Sequence, residues 1–193
     1  MMIIVRNIFC IAGMALIVPV LLVVSIFLII EDGYPIFFKQ ERFGKDKKRF
    51  TIYKLRTMKK NAPQLGTHQV DDSYMLKTGK LIRACKLDEF PQLINVIKGD
   101  INLVGPRPGL LVQVELMEAR DNRNIFSIKP GVTGLAQTLG YDMSNPEILG
   151  DIDRVYIENK SFKLNALIFL GTFLPVVRSY VSRLLKIKIK RRQ

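Results

Sequence analysis

Two adjacent carboxylates, Asp88 and Glu89, are the residues of this sequence best suited to chemistry, and they lie between two basic segments. One carboxylate of such a pair can act as a nucleophile while its neighbour holds a divalent metal. Mg²⁺ accepts isolated oxygen ligands of this kind when substrate phosphates complete its shell. The alternative interpretation is that both carboxylates only complement a helix dipole, which contributes about 0.3–1 kcal/mol each.

A second group of candidate residues is basic. Arg107 lies between Pro106 and Pro108, whose fixed φ angles predict a rigid loop, and a guanidinium fork matches the geometry of a phosphate. The stretch from Lys39 to Lys60 is also strongly basic. Its side chains can bind phosphate or simply face a membrane surface; the candidates there are Lys39, Arg42, Lys54 and Arg56.

Composition narrows the class of protein that presents these residues. A chain of 193 residues fits one domain with an appendage. The net charge of +13 indicates an anionic partner, which is phosphate, nucleic acid or a lipid surface. The mean hydropathy is +0.15 although 24% of the residues are charged, so apolar and charged residues must be segregated along the chain. Cys10, Cys85 and His68 make neither a disulfide framework nor a plausible zinc site.

The apolar excess is concentrated near the N-terminus. No residue from Ile8 to Ile30 is charged, and a helix of that length reaches about 35 Å, enough to cross a bilayer core of about 30 Å. The basic residues that follow place the main domain in the cytoplasm by the positive-inside rule. Pro19 interrupts the run, which predicts either a kinked single span or a re-entrant hairpin bent at Val18-Pro19.

The remaining pattern predicts short, mixed elements around the candidate residues. Residues 36–38 begin a strand, and a turn at 44–47 joins it to a second one. Residues 61–72 are polar and aperiodic, which indicates a loop. Helices are expected in a broken pattern over 77–98, over 110–120 and over 164–177. From Ser161 to Gln193 the chain has basic residues but no acidic ones, so we expect this tail to associate with anionic lipid.

Several motifs together resemble one known family. The motifs are GYPIFFKQERFGKDKKRFTIYKLRTM at 33–58, KLIRACKLDEFPQLINVIKGDINLVGPRPGL at 80–110, IKPGVTGLAQ at 128–137 and the stretch at 156–164. In this order they resemble the bacterial sugar transferases that initiate surface-glycan assembly, the small monotopic phosphoglycosyl transferases. With the N-terminal apolar segment, the resemblance covers nearly the whole chain.

The resemblance implies that a UDP-sugar gives its sugar 1-phosphate to a polyprenol phosphate, with release of UMP and with Mg²⁺ as cofactor. By position, Asp88 would be the nucleophile that holds a covalent phosphosugar, and Glu89 would bind the magnesium. Arg107 would contact the nucleotide sugar and Arg83 would help to bind phosphate. The further residues expected to bind substrate are Pro106, Pro108, Lys54, Arg56, Gln40 and Arg42.

The resemblance also implies the architecture. We expect an α+β, mainly helical fold with a re-entrant membrane helix over residues 1–32, bent at Pro19. A small cytosolic catalytic domain over 33–160 follows, with a short β-hairpin and amphipathic interfacial helices, and residues 161–193 form an apolar helix and a basic, membrane-associating tail. Val18 departs from the Ser or Thr that often precedes the bending proline in the family, so a hydrogen bond from that side chain to the backbone is missing here.

The expected location is the cytoplasmic face of the bacterial plasma membrane. Expected partners are a UDP-sugar, a polyprenol phosphate and anionic membrane lipid, without nucleic acid, and a homodimer is left open. The competing hypothesis is a non-catalytic, membrane-attached scaffold that binds anionic lipid through its tail.

Overall fold

The computed structural model describes residues 2–63, 65 and 70–188, and the fold is α+β and 58% helical. The predicted fold class and β-hairpin are confirmed. The helices are α1 (Met2–Asp32), α2 (Lys77–Ala84), α3 (Leu93–Lys98), α4 (Val114–Asp121), α5 (Leu135–Thr138), α6 (Pro146–Glu158), α7 (Phe162–Gly171) and α8 (Pro175–Leu185). The strands are β1 (Phe37–Phe43), β2 (Arg49–Leu55), β3 (Asn102–Val104) and β4 (Gly131–Thr133). Short 3₁₀ helices lie at Lys45–Lys47, Asp72–Tyr74, Leu87–Gln92 and Ile125–Ser127.

The chain forms two compact units. The first contains residues 1–41 and 51–99, and the second contains residues 42–50 and 100–193. These units cut across the predicted division into anchor, catalytic domain and tail, because α1 packs against α2 and α3 while α7 packs against β3 and α5. The functional division stays a prediction.

Helix α1 is continuous from Met2 to Asp32 with Pro19 inside it. Proline lacks an N–H group, so the hydrogen bond to the carbonyl of Ala15 is missing, but the structure shows no break in the helix there. Its range from Arg6 to Asp32 is long and apolar enough to cross a membrane by length and composition. The re-entrant path therefore has no support from a helix break and stays a prediction.

The core of the first unit joins α1 to the hairpin and to α2. It is formed by the buried side chains of Leu28, Leu55, Leu76 and Ile82. Gly79 is required in α2, because a Cβ on this residue would lie 2.1 Å from the carbonyl oxygen of Thr57. Helix α2 therefore lies directly against the chain that leaves β2.

The second unit is built on a parallel pair of short strands. Asn102 pairs with Gly131 and Val104 pairs with Thr133. A Cβ on Gly131 would lie 2.1 Å from the amide nitrogen of Gly105, so only glycine allows the two segments to approach this closely. The core beside the strands is apolar and includes Leu116, Leu135, Leu139, Tyr156, Ile168 and Val181.

The helix predicted over 164–177 is wrong. The chain forms α7 and α8 instead, and the break falls at Pro175, the first residue of α8. The residue before a proline is disfavoured in the α region, and Leu174 is accordingly extended, with φ −108° and ψ 108°. The predicted basic tail is described to residue 188, and residues 189–193 lie outside the described residues, as do residues 64 and 66–69 of the predicted loop.

Candidate active site

The acidic pair lies in a 3₁₀ helix that follows α2 directly. Helix α2 ends at Ala84, and Lys86 adopts a left-handed conformation with φ 57° that redirects the chain. Leu87–Gln92 then form the 3₁₀ helix, with Asp88 and Glu89 in its first turn. Both carboxylates are half-buried, so they remain accessible to a ligand while their surroundings restrict their motion.

A lysine from the hairpin lies beside this pair. The Nζ atom of Lys54 is 3.5 Å from Oε1 of Glu89, and their side chains are 14% and 21% exposed. Strand β2 is held in place by Asn95, whose side chain accepts a hydrogen bond from the Tyr53 amide at 3.2 Å and donates one to the Thr51 carbonyl at 2.7 Å. Asn95 is completely buried and thereby fixes the strand from which Lys54 extends.

Arg83 is oriented by the chain that leaves β2. Its Nε atom donates a hydrogen bond of 2.8 Å to the hydroxyl of Thr57, which is 5% exposed. Gln40 lies on β1 and is also buried, with 9% of its surface exposed. The first unit thus contains Asp88, Glu89, Lys54, Arg83 and Gln40, and the substrate contacts of the last three stay predictions.

Arg56, for which a substrate role is predicted, has structural partners within the first unit, and its substrate role stays a prediction. Its guanidinium donates to the Asp32 carboxylate and to the carbonyl oxygens of Gly33, Pro35, Met58 and Asp32 itself. The side chain of Arg56 is 6% exposed. Its donors are therefore occupied by the last residue of α1, by the segment that joins α1 to β1 and by Met58, where they satisfy carbonyl groups that need a partner. Arg56 joins the end of the apolar helix to the hairpin.

The second unit contains the rigid loop predicted around Arg107, and we call residues 106–109 the arginine loop. Pro106 and Pro108 are buried, and Arg107 between them is half-buried. Arg42, at the end of β1, donates a hydrogen bond of 3.1 Å to the carbonyl oxygen of Pro108. Desolvation of Arg42, followed by repulsion from Arg107, lowers the pKa of Arg42 to about 9. An anion bound near the two guanidiniums would relieve this repulsion.

The carboxylates of the site fit only one manner of magnesium binding. Among the described residues no group of three or more His, Cys, Asp or Glu side chains is placed to hold a metal. Mg²⁺ is usually held by one or two carboxylates, with waters and substrate phosphates as the other ligands. Asp88 and Glu89 fit a magnesium ion that arrives with a diphosphate, and they do not form an all-protein cage.

The sequence reasoning missed residues that position the site. Asn95 and Thr57 lack any motif signal, because their partners lie 26 to 44 positions away in the chain. Asp153 is the residue that a sequence signal could have identified, since it is an acidic side chain on the buried face of α6 between Ile152 and Tyr156. A buried carboxylate predicts a buried cation as its partner.

Comparison with known proteins identifies the family of this chain. Residues 3–179 match the family described as bacterial sugar transferase. The uncharacterized sugar transferase EpsL of Bacillus subtilis is 42% identical over 147 residues, which cover 76% of this chain and 72% of the relative.

Two further relatives have names that state a reaction. The UDP-N-acetylgalactosamine-undecaprenyl-phosphate N-acetylgalactosaminephosphotransferase of Aeromonas hydrophila is 34% identical over 86% of this chain and 41% of the relative. The UDP-glucose:undecaprenyl-phosphate glucose-1-phosphate transferase of Caulobacter vibrioides is 35% identical over 82% of this chain and 62% of the relative. The chain thus spans less than two thirds of these two relatives. With its match over residues 3–179, it belongs to the bacterial sugar transferase family.

Proposed function

We propose that this protein transfers a sugar 1-phosphate from a UDP-sugar to undecaprenyl phosphate, with release of UMP. The observation that carries the proposal is the approach of Lys54 to Glu89, one residue from Asp88, in the first turn of a 3₁₀ helix. The names of two relatives state this reaction for UDP-N-acetylgalactosamine and for UDP-glucose. A carboxylate pair with a lysine beside it is suited to a reaction between highly charged phosphates.

The proposed chemistry proceeds in two displacements at one phosphorus. A carboxylate oxygen of Asp88 attacks the β-phosphorus of the UDP-sugar, and the bond from that phosphorus to the bridging oxygen breaks, so that UMP leaves with the electron pair. An oxygen of undecaprenyl phosphate then attacks the same phosphorus, and the Asp88 carboxylate is released. The covalent step lets two phosphorylated substrates use the same nucleophile in turn.

The other residues bind and orient phosphate in this proposal. Glu89 would hold Mg²⁺, which when bound neutralises charge on the diphosphate. Lys54 and Arg83 contribute further positive charge, and Arg107 with Arg42 contacts the nucleotide sugar. Guanidinium groups suit this task because they stay charged and bind phosphate oxygens in pairs.

The release of UMP tests the proposed function directly. The purified full-length protein is mixed with undecaprenyl phosphate, Mg²⁺ and, separately, UDP-glucose, UDP-galactose, UDP-N-acetylglucosamine or UDP-N-acetylgalactosamine. We expect UMP release with at least one of these donors. Without undecaprenyl phosphate, each protein molecule should release at most one UMP. Absence of UMP with every donor, from protein that is folded by circular dichroism, would contradict the proposal.

The exposed apolar side chains support attachment to a membrane. Helix α1 exposes many of them, including Ile8, Phe9, Leu16, Leu22, Ile26, Phe27 and Ile30. Helix α8 exposes Val176 and Leu184 near its cations Arg178 and Arg183. Apolar side chains interspersed with cations are typical of a helix that lies in the interface of an anionic leaflet.

The packing of α1 favours a path within one leaflet. A Cβ placed on Gly13 would lie 3.9 Å from Leu93 of α3, and Leu28 is completely buried in the core that α1 forms with Leu55, Leu76 and Ile82. These two positions are about 22 Å apart along a helix. A helix that crosses the bilayer alone would contact the other elements of the first unit only near one end, so the extended packing supports the predicted monotopic arrangement.

Cysteine labelling tests this topology. The change is Met2→Cys in a protein that also carries Cys10→Ala, expressed in intact cells and treated with a membrane-impermeant maleimide from outside. We expect no labelling of residue 2 until the cells are lysed, because a re-entrant chain keeps its N-terminus on the cytoplasmic side. Cys85, which is exposed in the first unit, is the internal control for the cytoplasmic side. Efficient labelling of residue 2 alone in intact cells would establish a span.

A further inference from the structure

The arginine loop is held by hydrogen bonds to its own backbone. The carbonyl oxygens of residues 106–109 each accept a hydrogen bond within the second unit, so four consecutive peptide groups are fixed. Neither proline of this loop offers an N–H group, and the loop is therefore fixed mainly through its carbonyls. The Gly131 amide donates to the Pro106 carbonyl at 2.9 Å, and Arg120 Nη1 donates to the Arg107 carbonyl at 2.7 Å. Arg42 Nη1 donates to the Pro108 carbonyl at 3.1 Å, and the Phe43 amide donates to the Gly109 carbonyl at 3.3 Å.

Arg120 is the donor to the Arg107 carbonyl, and the carboxylate of Asp153 holds its guanidinium in place. Its Nε and Nη2 atoms donate to Oδ2 of Asp153 at 3.0 and 2.6 Å. Arg120 and Asp153 are 3% and 2% exposed. The pair joins α4 to α6 in the interior of the second unit, and the remaining edge of the guanidinium is directed at the loop.

A contribution to stability does not by itself account for this pair. Replacing a buried ion pair by apolar residues of similar volume is often neutral or stabilising, because the desolvation of two charges offsets their attraction. Arg123, which follows the end of α4, already ties that helix to α6 at the surface, because it pairs with Glu147 and Asp151 at 2.7 Å each and donates a hydrogen bond of 2.9 Å to the Ala119 carbonyl of α4. What distinguishes Arg120 from Arg123 is the hydrogen bond to the Arg107 carbonyl.

We propose that Arg120, held by Asp153, is a positioning residue that fixes the backbone of Arg107 and thereby sets the affinity of the enzyme for its nucleotide sugar. This inference rests on the proposed function, in which Arg107 contacts the UDP-sugar. A guanidinium binds phosphate oxygens well only when its backbone is fixed, because a displacement of about 1 Å is enough to cost up to about a hundredfold in rate.

The test is the double variant Arg120→Met with Asp153→Leu. It removes both charges together and so avoids leaving one buried charge unpaired, which Arg120→Met alone would do. The matched control is Arg123→Met, which removes the surface link from the Ala119 carbonyl of α4 to Glu147 and Asp151 of α6 but does not touch the loop. Thermal unfolding of both variants establishes that they are folded.

Two measurements are made on each variant. The first is the exchange of backbone amide hydrogens in residues 103–111, followed by mass spectrometry. The second is the KM for the UDP-sugar that releases most UMP from the wild-type protein, and the KM for undecaprenyl phosphate. For the double variant we expect faster exchange in this segment and a UDP-sugar KM raised about tenfold. The KM for undecaprenyl phosphate should change less than about twofold, and Arg123→Met should leave all three quantities unchanged.

Other outcomes overturn the inference. Unchanged exchange in a folded double variant would show that Arg120 does not fix the loop. Faster exchange with an unchanged UDP-sugar KM, or with both KM values raised equally, would show that Arg120 and Asp153 stabilise the fold but do not set the affinity for the UDP-sugar. If the wild-type protein releases no UMP, the proposed function fails, and the exchange comparison alone then decides whether Arg120 holds the backbone of Arg107.

Discussion

Changing Asp88 to asparagine should abolish turnover. Asparagine has almost the same shape as aspartate but lacks the carboxylate that attacks phosphorus, so the 3₁₀ helix is kept while the nucleophile is lost. We expect UMP release to fall by at least about a thousandfold, as is usual when a nucleophile is removed. The rate is measured with the UDP-sugar that is most active on the wild-type protein, under saturating Mg²⁺ and undecaprenyl phosphate.

Intact-mass spectrometry makes this experiment specific for the covalent step. Wild-type protein mixed with UDP-sugar and Mg²⁺, without undecaprenyl phosphate, should gain the mass of one phosphosugar, and fragmentation should locate it on Asp88. The Asp88→Asn variant should gain none. The control is Asp72→Asn, which removes an exposed carboxylate from the same unit and should behave as the wild type does. Full turnover by Asp88→Asn would exclude Asp88 as the nucleophile.

The second large effect is expected for Glu89→Gln. This change removes the charge that faces Lys54 at 3.5 Å and the proposed ligand of Mg²⁺ while keeping the size of the side chain. We expect kcat to fall by at least about a hundredfold. The Mg²⁺ concentration that gives half the maximal rate should also rise. Both quantities come from a titration of UMP release with Mg²⁺.

Glu89→Gln also separates the enzyme from a lipid-binding scaffold. Binding to vesicles that contain anionic phospholipid should be the same for this variant and for the wild type, because the proposed membrane contacts are made by α1 and α8 and not by Glu89. The control Glu115→Gln removes an exposed carboxylate from α4 and should change neither property. Undiminished turnover by Glu89→Gln would contradict its assignment as metal ligand.

Local patterns in the sequence predicted much of the fold. The uncharged run that ends at Ile30 forms α1, and the turn at 44–47 joins the strands of the hairpin. Where the prediction was wrong, a local signal was overlooked, since Pro175 ends the apolar run of α7 and starts α8. The pairing of β3 with β4 has no such signal, because each strand is three residues long and its partner is distant in the chain.

The candidate site divides in the same way. The sequence by itself determined the chemical types, namely the Asp88-Glu89 pair and the arginine enclosed by two prolines, because these residues are adjacent in the chain. Only the tertiary structure decided which cations are occupied elsewhere and which face the carboxylates. Arg56 and Lys54 are two residues apart on or beside β2, yet Arg56 is bound by the carbonyls around Gly33 while Lys54 faces Glu89.

The buried pair of Arg120 and Asp153 shows the physical reason for this limit. Each is an ordinary charged residue in its own helix, and their partnership joins positions 33 residues apart. Charge type and backbone propensity are local properties that a sequence displays directly. Burial and hydrogen-bond partners depend on which helix faces meet, and that is decided by the packing of the whole unit.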